Sequence, residues 1–182
     1  MEANNEIAKN KHHELRAKLD TIVSDENAEN WWKPELFEKN ILPILPPELE
    51  IIKSVPNEER NYNCFVYVLG LHHYPEIIGN KGWEFTRNLG PLFDEMITNG
   101  SLHKVDKSSQ GMVIVYRAEN GNISHVGLME SEDTVVSKWS WGPLLKHHIF
   151  DVPAGYGNTV EFYILTPEAI NFVLTKLNTD VS

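Results

Sequence analysis

Apolar positions recur in two regimes along this chain. In the first sixty residues they are sparse and spaced for helices. Ile7, Leu15, Leu19 and Ile22 stand among many charges at helical intervals, which predicts a solvated amphipathic helix over residues 7–23, peripheral to the core. A second, short helix is expected to start at Pro34, a residue suited to the first helical position, and to stop before Pro43, Pro46 and Pro47. Trp31 and Trp32 precede it and read as core-packing aromatics, with an exposed pair contacting a ligand as the alternative. Residues 49–55 read as a strand leading to Asn61, Tyr62, Asn63 and Cys64. Either asparagine can cap a helix running through Phe65 and Val68 to Gly70. That run is apolar on nearly every face, so a buried strand is the alternative to the helix preferred here.

The second regime is dominated by strands. A loop holding His72, His73 and Trp83 leads to a helix expected from Pro91 to Gly100. The segments 112–117, 123–129, 134–139 and 160–165 are rich in β-branched and aromatic residues, and the polar turn 119–122 separates the first two. A helix from Pro167 to about Leu177 closes the chain. Helices first and consecutive strands later predict an α+β fold with an antiparallel sheet. The chain divides into an N-terminal helical extension, 1–48, and a domain, 49–182. The region 49–165 is expected to be the minimal fold and the first helix an accessory to it.

Composition narrows the function. The 182 residues are 41% hydrophobic and 23% charged, ordinary values for a globular chain. Asp and Glu outnumber Lys and Arg by 26 to 16, giving a net charge of −10 that repels phosphate backbones and anionic lipid. Nucleic acid and membrane are therefore not expected as partners. The apolar runs are too short to cross a bilayer and no signal sequence opens the chain, so a cytoplasmic location is expected, with specialised secretion as the other route. The single cysteine, Cys64, forms no intramolecular disulfide and leaves a free thiol.

A lone cysteine is often only a small buried apolar residue, and its neighbours decide otherwise here. A thiol at the start of a helix is favoured as thiolate by unpaired N–H groups, and it needs a base that works near neutral pH. His125 is the candidate base. It lies in an otherwise apolar strand, Ile123 to Leu128, where an unpaired imidazole is costly to bury. Gly127, two residues on and on the same face, leaves room for another group to approach.

These pieces resemble the NlpC-like branch of the papain-like cysteine hydrolases. The matching runs are Asn63-Cys64-Phe65-Val66-Tyr67, then Gly111 to Tyr116, then His125-Val126-Gly127-Leu128, and together they cover residues 61–163. The branch usually carries Asp and Ser where Asn63 and Phe65 flank this cysteine. The resemblance implies a papain-like fold, a buried helix carrying Cys64 packed on an antiparallel sheet carrying His125. It places a third polar residue, which orients the imidazole, about a dozen residues after the histidine, at Ser137. Lys138, Asp151 or a backbone carbonyl are the alternatives for that role. Tyr62 is the candidate to bind the oxyanion beside the backbone N–H of Cys64, or else it is a helix-start packing contact. Ser137, Lys138, Trp139, Gly142, Pro143 and His148 also resemble a mostly bacterial subgroup with an Asn-Cys start.

The remaining histidines are three adjacent pairs whose members point apart, and His103 alone, and none has a cysteine partner, so neither a metal nor any other cofactor is expected. The resemblance implies acyl transfer on a peptide, amide or protein substrate, of amidase or peptidase type, with Cys64 as nucleophile and His125 as base. The reading from another class is an inactive papain-like fold used for binding, with Trp31, Trp32, Trp83, Trp139 and Trp141 as a contact surface.

Overall fold

A computed structural model describes the backbone of residues 2–56, 62–74 and 89–179, and the side chains of residues 11–56, 62–74 and 89–176. Asn61 and Trp83 lie outside the described residues. The helices are α1 (Glu2–Ile22), α2 (Ala28–Trp32), α3 (Cys64–Val68), α4 (Leu89–Thr98) and α5 (Pro167–Thr179), with single turns linking Pro34 to Ile44. The strands are β1 (Glu50–Lys53), β2 (Leu102–Val105), β3 (Val113–Arg117), β4 (Ile123–Met129), β5 (Thr134–Lys138), β6 (Leu144–His148) and β7 (Thr159–Leu165). They form one sheet in the order β1-β6-β5-β4-β3-β7-β2, every pair antiparallel. The protein is therefore α+β.

Successive residues of a strand face opposite sides of a sheet, and this sheet is buried on both. In β3, Val113 and Val115 pack with α3, α4 and α5, while Ile114 and Tyr116 face the other way. That second face is covered by Leu19, Ile22, Trp31, Phe37 and Ile41 from the N-terminal segment.

The first helix is thus not peripheral. Leu19 is 0% and Ile22 3% exposed, and the Arg16 guanidinium donates hydrogen bonds to the carbonyl oxygens of Val152, Pro153 and Gly157. Arg16 is thus a charge on the inner side of the helix, while Glu14 and Lys18 are exposed. Trp31 packs as expected: it stacks on Trp139, donates from Nε1 to the Trp139 carbonyl at 2.8 Å, and lies against Gly142 so closely that a Cβ there would meet its ring at 2.2 Å. Residues 15–45 and the sheet share one core.

Between β3 and β4 the register slips by one residue, pairing Tyr116 with His125 but Arg117 with Ile123. Ser124 is the extra residue of this bulge, and its hydroxyl donates to the carbonyls of Tyr116 and Tyr156. Among the described residues no helix is long and apolar enough to cross a membrane.

Candidate functional site

Cys64 opens α3, as its sequence context predicts. Asn63 caps the helix, its side-chain oxygen accepting the Val66 N–H at 3.2 Å. The thiol is 5% exposed, and burial pushes it up to about 11. The backbone N–H groups of Val126, Phe65 and Cys64 pull against that shift, as does the charge of Lys138. Val126 can donate to the sulfur because β4 and β5 pair only at Leu128–Val136 and Met129–Val135 and then part. The sulfur therefore sits beside the strand backbone one residue from His125.

His125 is 1% exposed. Its side chain leaves β4 on the opposite face from Val126, stacked on Tyr156 at 4.2 Å between ring centroids and against Tyr116 at 5.4 Å. Burial first, and then the neighbouring His147, hold the imidazole well below its ordinary value and so neutral. Its Nε2 is buried with no hydrogen-bond partner, and no hydrogen bond joins it to Cys64. The structure brings thiol and imidazole to the same stretch of strand without linking them directly.

Ser137 requires a correction. It is fully buried on the His125 face, but its hydroxyl bonds Nε2 of His147 at 2.8 Å and accepts from Nε1 of Trp139 at 3.0 Å. His147 Nδ1 lies 2.7 Å from the His148 carbonyl, which can only accept, so Nδ1 carries the proton and Ser137 donates to Nε2. The residue expected to orient His125 thus orients a different imidazole, His147, which is 2% exposed and pushed by burial down to about 4. The other candidates for that role do not serve it either. Asp151 faces α1, 3.7 Å from His12, and Lys138 leaves β5 on the opposite face from Ser137. Gly127 does admit a close approach: a Cβ there would lie 2.6 Å from Val135 and 3.0 Å from Ser137.

Ser137→Ala would leave the Trp139 N–H without its acceptor and His147 without its donor. A loss on the order of 1–3 kcal/mol in stability is expected from urea denaturation, with Cys64 reactivity little changed.

The Tyr62 ring meets two neighbours: it stacks on His72 at 5.0 Å and lies under the Lys138 ammonium at 4.9 Å. His72 is pushed by burial down to about 4. Lys138 is 1% exposed and lies on the Cys64 side of the sheet. Among the described residues no group of three or more His, Cys, Asp or Glu side chains could hold a metal.

Fold and site define an α+β protein whose buried thiol rests against one antiparallel sheet. The chain belongs to the family described as a domain of unknown function (DUF7689), whose model matches residues 53–164 and so takes in Cys64, His125, Ser137, Lys138 and His147. Neither the curated proteins nor the solved structures include a match to the chain.

Proposed function

We propose that the protein is a thiol acyl-transfer enzyme of amidase or peptidase type, built on a papain-like arrangement of the NlpC-like branch. The observation that carries this reading is the setting of Cys64: it opens a helix capped by Asn63, where the electrostatics of the nearby backbone N–H groups work against the cost of burying a thiolate, beside the strand segment that holds His125. Such donors favour the thiolate and can take over a developing oxyanion. His125 has an unspent Nε2 and is the base the element order suggests. In the reaction Sγ attacks the carbonyl of an amide, its proton passes to the base and on to the leaving amine, and water hydrolyses the thioester. Peptides, amides or protein side chains are the substrate class, and a cytoplasmic setting fits an unoxidised lone thiol.

The second reading is an inactive papain-like fold that binds a protein or peptide. A thiol pushed up to about 11 beside a neutral imidazole favours it, because no ion pair exists at rest.

Intact-mass analysis with p-nitrophenyl acetate separates the two. The first reading expects a single acetyl adduct on Cys64 that forms and clears, is absent in Cys64→Ala, and forms on the order of 10²-fold more slowly in His125→Gln. A Cys64 adduct that forms no faster than on a free cysteine, or never clears, supports the binding module instead.

A further inference from the structure

Two Asn-Gly pairs, Asn99-Gly100 and Asn120-Gly121, stand exposed in turns of this chain. In both, the asparagine side-chain oxygen accepts the N–H two residues on, from Ser101 at 2.9 Å and from Asn122 at 3.0 Å. Such a bond folds Cγ back over the next peptide nitrogen, which belongs to the glycine. A glycine carries no Cβ to crowd that approach. The pairs differ in what holds the nitrogen. Gly121 donates to the Ala118 carbonyl at 2.9 Å, in a turn closed by the Ala118 N–H on the Asn122 carbonyl at 3.0 Å and by Arg117 on the Gly121 carbonyl at 2.8 Å. Gly100, where α4 runs out, reaches the Ile97 carbonyl only at 3.4 Å, beyond the ordinary range.

We propose that Asn99 is a self-modifying site, at which the chain converts its own asparagine to an isoaspartyl or aspartyl residue. The Gly100 nitrogen gives its proton to hydroxide and attacks Cγ of Asn99. The N–Cγ bond forms, the Cγ–Nδ2 bond breaks, and Nδ2 takes a proton from water and leaves as ammonia. Negative charge gathers on Oδ1 during the attack, where the Ser101 N–H already donates. Water then opens the cyclic imide at one of its two carbonyls and restores a carboxyl group. The product bears on the fold. Its carboxylate lies at the C-terminal end of α4, where the helix carbonyls disfavour negative charge. The isoaspartyl form also adds a methylene to the main chain just before β2, the edge strand, which pairs with β7. Ser101, whose carbonyl accepts the Thr166 N–H at 3.1 Å, and Leu102, 1% exposed, are the residues it displaces.

The experiment incubates the full-length chain at pH 8 in heavy-oxygen water, folded and in parallel in concentrated urea, and follows the peptides holding residues 99 and 120 by mass spectrometry. Conversion takes up one solvent oxygen, and fragmentation separates isoaspartate from aspartate. In the folded chain residue 99 should convert about fivefold faster than residue 120, the worth of one protein hydrogen bond, while in urea the two should convert at similar rates. Gly100→Ala places a Cβ that meets nothing else within 4 Å but crowds the attacking nitrogen. It should slow residue 99 on the order of tenfold and leave residue 120 unchanged. Residue 120 converting as fast as residue 99 in the folded chain overturns the proposal, and so does an absence of isoaspartate at residue 99. A ratio that persists in urea overturns it as well, since flanking sequence rather than the fold would then set the rate. Should Gly100→Ala not fold, the comparison of folded and urea-treated wild type decides alone.

Discussion

Removing residues 1–27 should abolish the cooperative thermal transition of this chain. The deletion takes Leu19 and Ile22, which are 0% and 3% exposed, out of the core on the second face of the sheet. Large-to-small changes at such sites cost about 2–5 kcal/mol each, because a cavity is left behind. The deletion also removes the Arg16 guanidinium, so the carbonyls of Val152, Pro153 and Gly157 lose their donor where the chain turns from β6 into β7. Against a total stability of about 5–15 kcal/mol these losses leave little, and exposed Tyr116 and Val152 would favour aggregation. Circular dichroism melting of the truncated chain checks it. A sharp transition within a few degrees of the full-length value would show that the helix contributes no stability, against the packing described.

The second large effect is on acid stability. His147, pushed down to about 4, and His125, held well below the ordinary value, are neutral in the folded chain, whereas in the unfolded chain each titrates near 6.5. The unfolded state therefore binds more protons below that value. Stability is complete above about pH 6.5 and is lost as pH falls toward 4. At pH 5 His147 withholds about 1.5 pH units of protonation, on the order of 2 kcal/mol, and His125 acts in the same direction. Half-buried His72 adds in the same direction. Asp151, raised by burial, opposes it, but at lower pH where carboxyl groups titrate. Urea midpoints at pH 7 and pH 5 measure the difference, and His147→Gln should reduce it by a large part. A stability equal at the two values would mean that these imidazoles reach solvent in the folded state.

The contrast between α1 and α3 shows what the chain discloses about itself. The Asn63 cap and the apolar run after Cys64 are local signals, and they identify the helix start that bears the thiol. The strands Val113–Arg117, Ile123–Met129 and Thr159–Leu165 are similarly legible, since β-branched and aromatic residues mark them directly. In α1 the spacing of Leu15, Leu19 and Ile22 is equally visible, but whether that stripe meets a core depends on a sheet face assembled from residues over a hundred positions later. Its charge made it look peripheral. Two strands carry too weak a local signal. Leu144–His148 and Leu102–Val105 are four or five residues long and carry lysine and histidine, too little for an alternation to stand out. The loss of β6 also explains Ser137. Counting from His125 reaches β5, but the imidazole that Ser137 holds comes from β6, a strand with no clear mark in the sequence. A lysine one residue from a candidate site is ordinarily solvated, and it is strand parity that turns Lys138 inward.

The arrangement that covers the sheet has a consequence for biosynthesis. Arg16 bonds residues 136 to 141 positions further on, and Trp31 bonds Trp139 across 108. A nascent chain emerges from its N-terminus at roughly 5–20 residues per second, so the apolar stripe of α1 waits seconds, unburied, for its docking face to be made. Contacts of such sequence separation also slow folding itself, since the loop between them must close before anything is gained. The charged residues beside that stripe, Glu14, Lys18 and Asp20 among them, then act as solubilising groups during the interval in which the helix has nothing to pack against.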